Sequence, residues 1–511
     1  MTKRPARRLL AVCAAIAVSA GVFALGTAHS SGRARDDLSE KDQKRVEAAT
    51  ALATDFSKAE QYEAMSGGAA TSLARTDINS FSHFSENITF EERESFKLGN
   101  ALFQKLWVSS PSSTQASDGL GPLYNARSCQ TCHIRDGRGH PPEGAADATS
   151  MFLRLARPAR TEDEKAALDS FSQMSLPDPV YGRQLQDQAV PGLKAEGRMA
   201  VTYTEEPVTI AGGEVVMLRQ PHYSVTDLAY GDLDPATTLS PRVTQPMLGL
   251  GLIQAIHEAD IRALADPDDA NGDGIRGRAA IAIDPATGKQ ALGRFGWKAQ
   301  SATVRRQSAE AFAFDIGIST PDVPLHQGDC TPAQTTCLER PNGVQPRLGD
   351  VEAPPPVMDL VTFYAENLAV PARRKASFPE TLAGKRVFYE TGCVSCHHPK
   401  FVTRRDADNK AHAFQLIWPY SDFLLHDMGP GLADGQVVGE ATGSEWRTPP
   451  LWGIGLTGTV NSNTFFLHDG RARTLAEAVL WHGGEAQKAR DRFAAADATN
   501  RDALVEFLES L

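Results

Sequence analysis

The chain has 511 residues, long enough for two or three hydrophobic cores, and its 23% charged and 41% hydrophobic content is that of a globular protein. A formal charge of -11 argues against a nucleic-acid-binding role, because phosphate contacts demand a basic surface. Such a charge serves solubility, or a basic redox partner.

Residues 1–28 read as a secretory signal. Lys3, Arg4, Arg7 and Arg8 form a basic start, Leu9 to Leu25 is apolar, and Gly26-Thr27-Ala28 supplies the small residues of a cleavage site. The expectation is an exported, periplasmic protein with no membrane span once the signal is removed. An uncleaved anchor is the alternative, since the apolar run is long for a signal. Residues 29–88 follow as a helical and linker segment, in which the charged, alanine-rich run from Ser39 to Lys58 predicts one exposed helix. Gly67-Gly68 then breaks the pattern.

A region over 89–160 opens with a capping-box signal at Thr89 and Glu92. Phe96, Gly99, Leu102, Phe103, Leu106 and Trp107 then recur at helical spacing. After a loop comes Cys129-Gln130-Thr131-Cys132-His133. Two cysteines three apart, with histidine after the second, form the c-type haem attachment pattern. On one helical turn both sulfurs reach the same porphyrin edge, and the next residue offers its imidazole to the iron.

Residues 161–375 change character. Val201 to Thr204, Val208 to Ile210 and Glu214 to Leu218 read as short strands, with Gly212-Gly213 as a turn and Pro207 at a strand start. Met247 to Ile261 is more helical. The run Asp269-Ala270-Asn271-Gly272-Asp273-Gly274 reproduces the opening of a calcium loop, with Asp269, Asn271 and Asp273 as candidate ligands. Ala280 stands where the last carboxylate is needed, and an Asx-rich turn without metal is the alternative. Seven cysteines minus Cys13 of the signal and four in haem motifs leave Cys330 and Cys337. In an oxidising periplasm these two most economically close a short disulfide loop.

The last region, 376–511, carries Cys393-Val394-Ser395-Cys396-His397, the second haem motif. Gly384 and Phe388 precede it as Gly99 and Phe103 precede the first, a weak internal repeat. The glycine lets another helix cross closely and the aromatic packs over the haem edge. Thr499 with Asp502 signals a final helix, whose Leu504, Phe507, Leu508 and Leu511 share one face. Two Cys-x-x-Cys pairs could also build a zinc site or a thiol redox centre, but neither needs a histidine after each second cysteine. The fold expected is mainly α: two cytochrome-c-like haem domains with a long, partly β, loop-rich insertion between the haem motifs.

Several runs resemble the bacterial di-haem oxidoreductase family. They are Asn125 to His133 with Asp136-Gly137-Arg138-Gly139, then Gly293-Arg294-Phe295-Gly296-Trp297-Lys298-Ala299, Leu425-His426-Asp427-Met428-Gly429, and the tail from Glu445 through Thr474. The tail is also similar to the more distant di-haem cytochrome c peroxidases. The resemblance covers roughly residues 65–511 and implies a two-haem redox protein. His133 and His397 would be the proximal ligands, and Cys129, Cys132, Cys393 and Cys396 the covalent anchors. Met428 and His468, with His426 behind them, are the candidates for the sixth position of the second haem. The relatives tend to have Met before His-Asp-Gly, where this chain has Leu467. At the first haem His140, His222 and His257 are candidates, and an open site is the other possibility. Trp297, Trp446 and Trp452 are candidate electron carriers, or core. Arg447, Arg471 and Arg473 suit haem propionates or carboxylates. The function expected is electron transfer through two haems, reducing hydrogen peroxide with electrons from a small donor protein. A non-catalytic electron-transfer protein and a thiol-oxidising or protein-modifying oxidoreductase are the alternatives.

Overall fold

The computed structural model describes residue 1 and residues 35–142 and 149–511. Apart from its first residue, the expected signal segment, with Cys13, lies outside the described residues.

Two helix crossings organise what is described. Helix α1 (Phe90–Gln104) begins with the capping box the sequence suggests: Glu92 N–H donates to Thr89 Oγ1 at 3.2 Å and Thr89 N–H to the Glu92 carboxylate at 2.7 Å. It crosses helix α2 (Pro355–Glu366) at Gly99, where a Cβ would run into the Leu360 carbonyl and Tyr364. Helix α3 (Pro379–Glu390) crosses helix α4 (Ala498–Ser510) at Gly384 in the same manner, against the Ala503 carbonyl and Phe507. Both glycines are there because two helix backbones approach more closely than a side chain allows. Gly384→Ala is expected to force the α3–α4 pair apart and cost about 3 kcal/mol, the upper end of the usual overpacking penalty. The shift of the urea midpoint measures it, and an unchanged midpoint would show that the crossing is not tight.

The helix that crosses α1 comes from within the stretch expected as insertion. Sequence could not pair them, since the partners are remote in the chain and the α2 signal is one apolar helix among loops. The start of α4 also differs from expectation. Asp497, not Thr499, is the cap: its carboxylate accepts Asn500 N–H at 2.9 Å, and Thr499 lies inside the helix. The N-terminal helix is shorter than Ser39 to Lys58, running Glu40–Thr50 with Ser39 as its cap.

Helix and strand are mixed here, rather than mainly α as expected. Seven two-stranded sheets occur among the described residues. Strand β1 (Met151–Ala156) pairs antiparallel with β4 (Thr238–Val243), and between them β2 (Arg198–Thr209) and β3 (Val215–Thr226) form a long hairpin. The two short strands expected before Gly212-Gly213 are one strand. Pro207 lies inside it, opposite Met217, which a two-stranded sheet tolerates because each strand is an edge. Most other strands are two or three residues long, below the reach of an alternation pattern. Val208, Ile210, Val216 and Leu218 of the hairpin pack on the α3–α4 core with Phe388, Trp418, Tyr420 and Phe507. Cys330 and Cys337 are disulfide-bonded.

Candidate haem sites

Cys129–Cys132 forms one helical turn, closed by His133 N–H donating to the Cys129 carbonyl at 3.0 Å. His133 Nδ1 lies 2.9 Å from the Gln245 carbonyl. A carbonyl only accepts, so Nδ1 carries the proton and Nε2 keeps its lone pair. Burial pushes the His133 pKa down to about 4, so the ring is neutral, the form that binds a metal. The second motif repeats the arrangement. His397 N–H donates to the Cys393 carbonyl at 2.9 Å, Nδ1 donates to the Tyr420 carbonyl at 2.9 Å, and burial again brings the pKa to about 4. Phe103 and Phe388, each four residues past a crossing glycine, face the motif histidines at ring separations of 6.0 and 6.3 Å.

Each motif opens on its own cavity. One of about 390 Å³ is lined by Cys393, Cys396, His397, Met428, His426 and His468, and one of about 160 Å³ by Cys129, Cys132, His133, Gln300 and Gln307. Two cysteine pairs in separate cavities cannot share a zinc ion. Burial raises Cys129 to about 12 and Cys393 to about 11, the reverse of a nucleophilic dithiol.

Two arginines, Arg447 buried and Arg138 half-buried, test whether a haem fits. Arg447 donates to the Gly296 and Thr448 carbonyls at 3.0 and 3.1 Å and to Gln245 Oε1 at 2.9 Å, all neutral acceptors. Arg138 donates to the Leu467 carbonyl, and its buried Nε has no partner. Burial lowers both to about 10. Both line the larger cavity. A buried guanidinium without an anion is costly, and a carboxylate-bearing cofactor supplies one. Haem, with two propionates, fits this donor set. When bound it supplies a redox-active iron.

A family model, described as "Di-haem oxidoreductase, putative peroxidase", matches residues 61–511. The chain belongs to this family. No curated protein matches it.

Within this di-haem oxidoreductase the candidate ligands divide. Met428 and His468 both line the second cavity with His397. His468 is buried and stacks on Trp446 at 3.8 Å, with Nε2 3.8 Å from Asp469. His426 has no free ring nitrogen: Nδ1 meets Glu485 at 2.7 Å and Nε2 meets Asp422 at 2.8 Å. It is a charged clamp between two carboxylates. His140, His222 and His257 are elsewhere: among the described residues His133 is the one histidine lining the first cavity. His222 is exposed on the hairpin beside Thr204, His257 caps a short helix and meets Asp36 at 3.0 Å, and His140 turns to the Pro141 carbonyl.

Trp297 lines both cavities, Trp446 only the second, and Trp452 packs in a separate core with Phe81 and Phe423. Of the three expected arginines, Arg471 pairs with Asp469 and Arg473 with Glu205 and Glu477, leaving Arg447 for a propionate. Arg138 carried no expected role, although its run was part of the resemblance. The calcium-like run forms a self-capped turn: Asp269 accepts Gly274 N–H, Asn271 accepts Asp273 N–H and Asp273 accepts Ile275 N–H, at 3.0, 2.8 and 2.8 Å. Ala280 is buried in another cluster and brings no oxygen.

Proposed function

We propose that the chain is an exported, periplasmic enzyme holding two covalent c-type haems, in which electrons from a small donor protein reach the haem at Cys393–His397 and hydrogen peroxide is reduced at Cys129–His133. The observation that carries this division is the unequal lining of the two cavities. Around His397 lie Met428 and His468, either able to fill a sixth position and make an electron-transfer centre. Among the described residues, the lining of the cavity at His133 holds no second histidine. Met247, two residues past the Gln245 carbonyl that holds His133 Nδ1, is the one methionine in that lining among the described residues. The rest of that lining includes Phe295, Gln300, Gln307 and Phe312. Gln300 and Gln307 each hold a buried side-chain oxygen without a partner, as a site for a small hydrogen-bonding molecule would. Peroxide reduction takes two electrons and two protons and gives two waters, a physical reason for two irons in one chain. Trp297, on both walls, lies where electrons pass between them.

Electron paramagnetic resonance of the oxidised protein tests this. One low-spin signal, one signal that changes spin state on half-reduction, and peroxide turnover are expected. Two low-spin signals that half-reduction leaves unchanged, without turnover, would instead make the protein a carrier.

A further inference from the structure

Lys298 is a buried cation that lines neither haem cavity. It stands beside Trp297 in the run Gly293 to Ala299, and its side chain is 0% exposed. Nζ donates to the Gln436 and Thr442 carbonyls at 2.9 and 2.7 Å and pairs with Asp434 at 2.9 Å. It also lies 4.5 Å from the ring centre of Trp446, which His468 stacks upon at 3.8 Å with the planes only 15° apart.

The charges around this stack do not cancel. Arg242, also buried and on the lining of the first cavity, has its guanidinium 5.9 Å from the Trp446 ring and 4.0 Å from Asp434. Two cations thus share one carboxylate. Two acidic neighbours have cations of their own: Glu445 pairs with Arg278 at 2.7 Å and Asp469 with Arg471 at 2.9 Å. Within the group of Lys298, Arg242 and Asp434, two positive charges face one negative charge, beside an aromatic stack ending at a histidine that lines the second cavity. Burial of this kind is expensive, and packing alone would be served as well by an apolar residue. A fixed charge in a medium of low dielectric acts over a longer range than one at the surface.

We propose that Lys298, with Arg242 and Asp434, is a potential-setting device: its net positive charge, placed against the Trp446–His468 stack, favours the reduced form of the haem held by His397. This rests on the di-haem reading above. Lys298 touches neither substrate nor haem and acts through Trp446 and His468. It is a positioning and tuning residue, not a catalytic one. A raised potential at that centre makes it a ready acceptor for electrons from a donor.

Spectroelectrochemical titration of the purified holoprotein tests it. Lys298→Met, which removes the charge and keeps the length, should lower one of the two haem waves by at least tenfold in its one-electron equilibrium, about 59 mV. Lys298→Arg should hold the wave near its original place. Asp434→Asn, which leaves both cations unopposed, should raise the same wave, and it carries the test should Lys298→Met fail to load haem. Waves that stay in place, that move in the opposite sense, or that fall equally in Lys298→Arg would overturn the proposal while leaving the two-haem reading intact. Absence of any haem wave in the unmodified protein would instead overturn that reading.

Discussion

Replacing both Cys393 and Cys396 by serine is expected to give a protein with one covalent haem instead of two. The second motif then keeps only the His397 imidazole, oriented by the Tyr420 carbonyl, in a cavity of about 390 Å³. Mass spectrometry of the denatured chain should show the loss of one haem's mass. On the division of labour proposed above, turnover of peroxide with a protein donor should fall to background, because the variant lacks the accepting centre. The matching change at Cys129 and Cys132 should also remove one haem, but should leave the low-spin signal and its reduction by a donor in place. The two variants therefore separate electron acceptance from peroxide chemistry. A denatured double-serine chain that still carries two haems would mean that these cysteines are not the anchors.

The parts legible in the sequence are those whose geometry is local. Cysteines at i and i+3 with a following histidine make sense on one turn, and the turn is there at Cys129–Cys132. The glycine–phenylalanine pairs at 99/103 and 384/388 are likewise local, and both glycines are at helix crossings. What had no local signal was missed. The groups that orient His133 and His397 are the backbone carbonyls of Gln245 and Tyr420, and any residue type can supply a carbonyl. Which helix crosses α1 depends on tertiary packing across the whole middle of the chain. His426 looked like a ligand because its neighbours in sequence resemble family motifs; in the structure it is held between Asp422 and Glu485, which lies far along the chain. The mixed fold class was misjudged because a sheet of two short strands leaves no periodicity to read.

Glu63→Ala is expected to destabilise the fold by about 3–5 kcal/mol, the cost of stranding buried charges by removing their partner. Nothing in the sequence around Glu63 announces this role. Its carboxylate is fully buried, pairs with Arg373 and lies 2.9 Å from Lys385, whose side chains are each 1% exposed. Lys385 also meets Glu60, which in turn meets Lys400. These bonds fasten the segment before α1 to the start of the second haem region. The Tyr420 hydroxyl donates to Glu63 at 3.3 Å, and Arg373 donates to that hydroxyl at 3.2 Å, so the cluster also fixes the residue whose carbonyl orients His397. Loss of Glu63 should therefore both lower the urea midpoint and broaden the absorption of the haem held by His397. The effect has a defined pH dependence. Burial alone would raise the Glu63 pKa, but Arg373 and Lys385 outweigh it and hold the carboxyl below its ordinary 4.5. A carboxyl depressed in the folded state contributes its full stability above its unfolded pKa and loses it as pH falls through the folded value. The gap between the natural protein and Glu63→Ala should accordingly be widest at neutral pH and shrink in acid. A gap that is constant from neutral pH into acid would show that Glu63 contributes volume rather than charge.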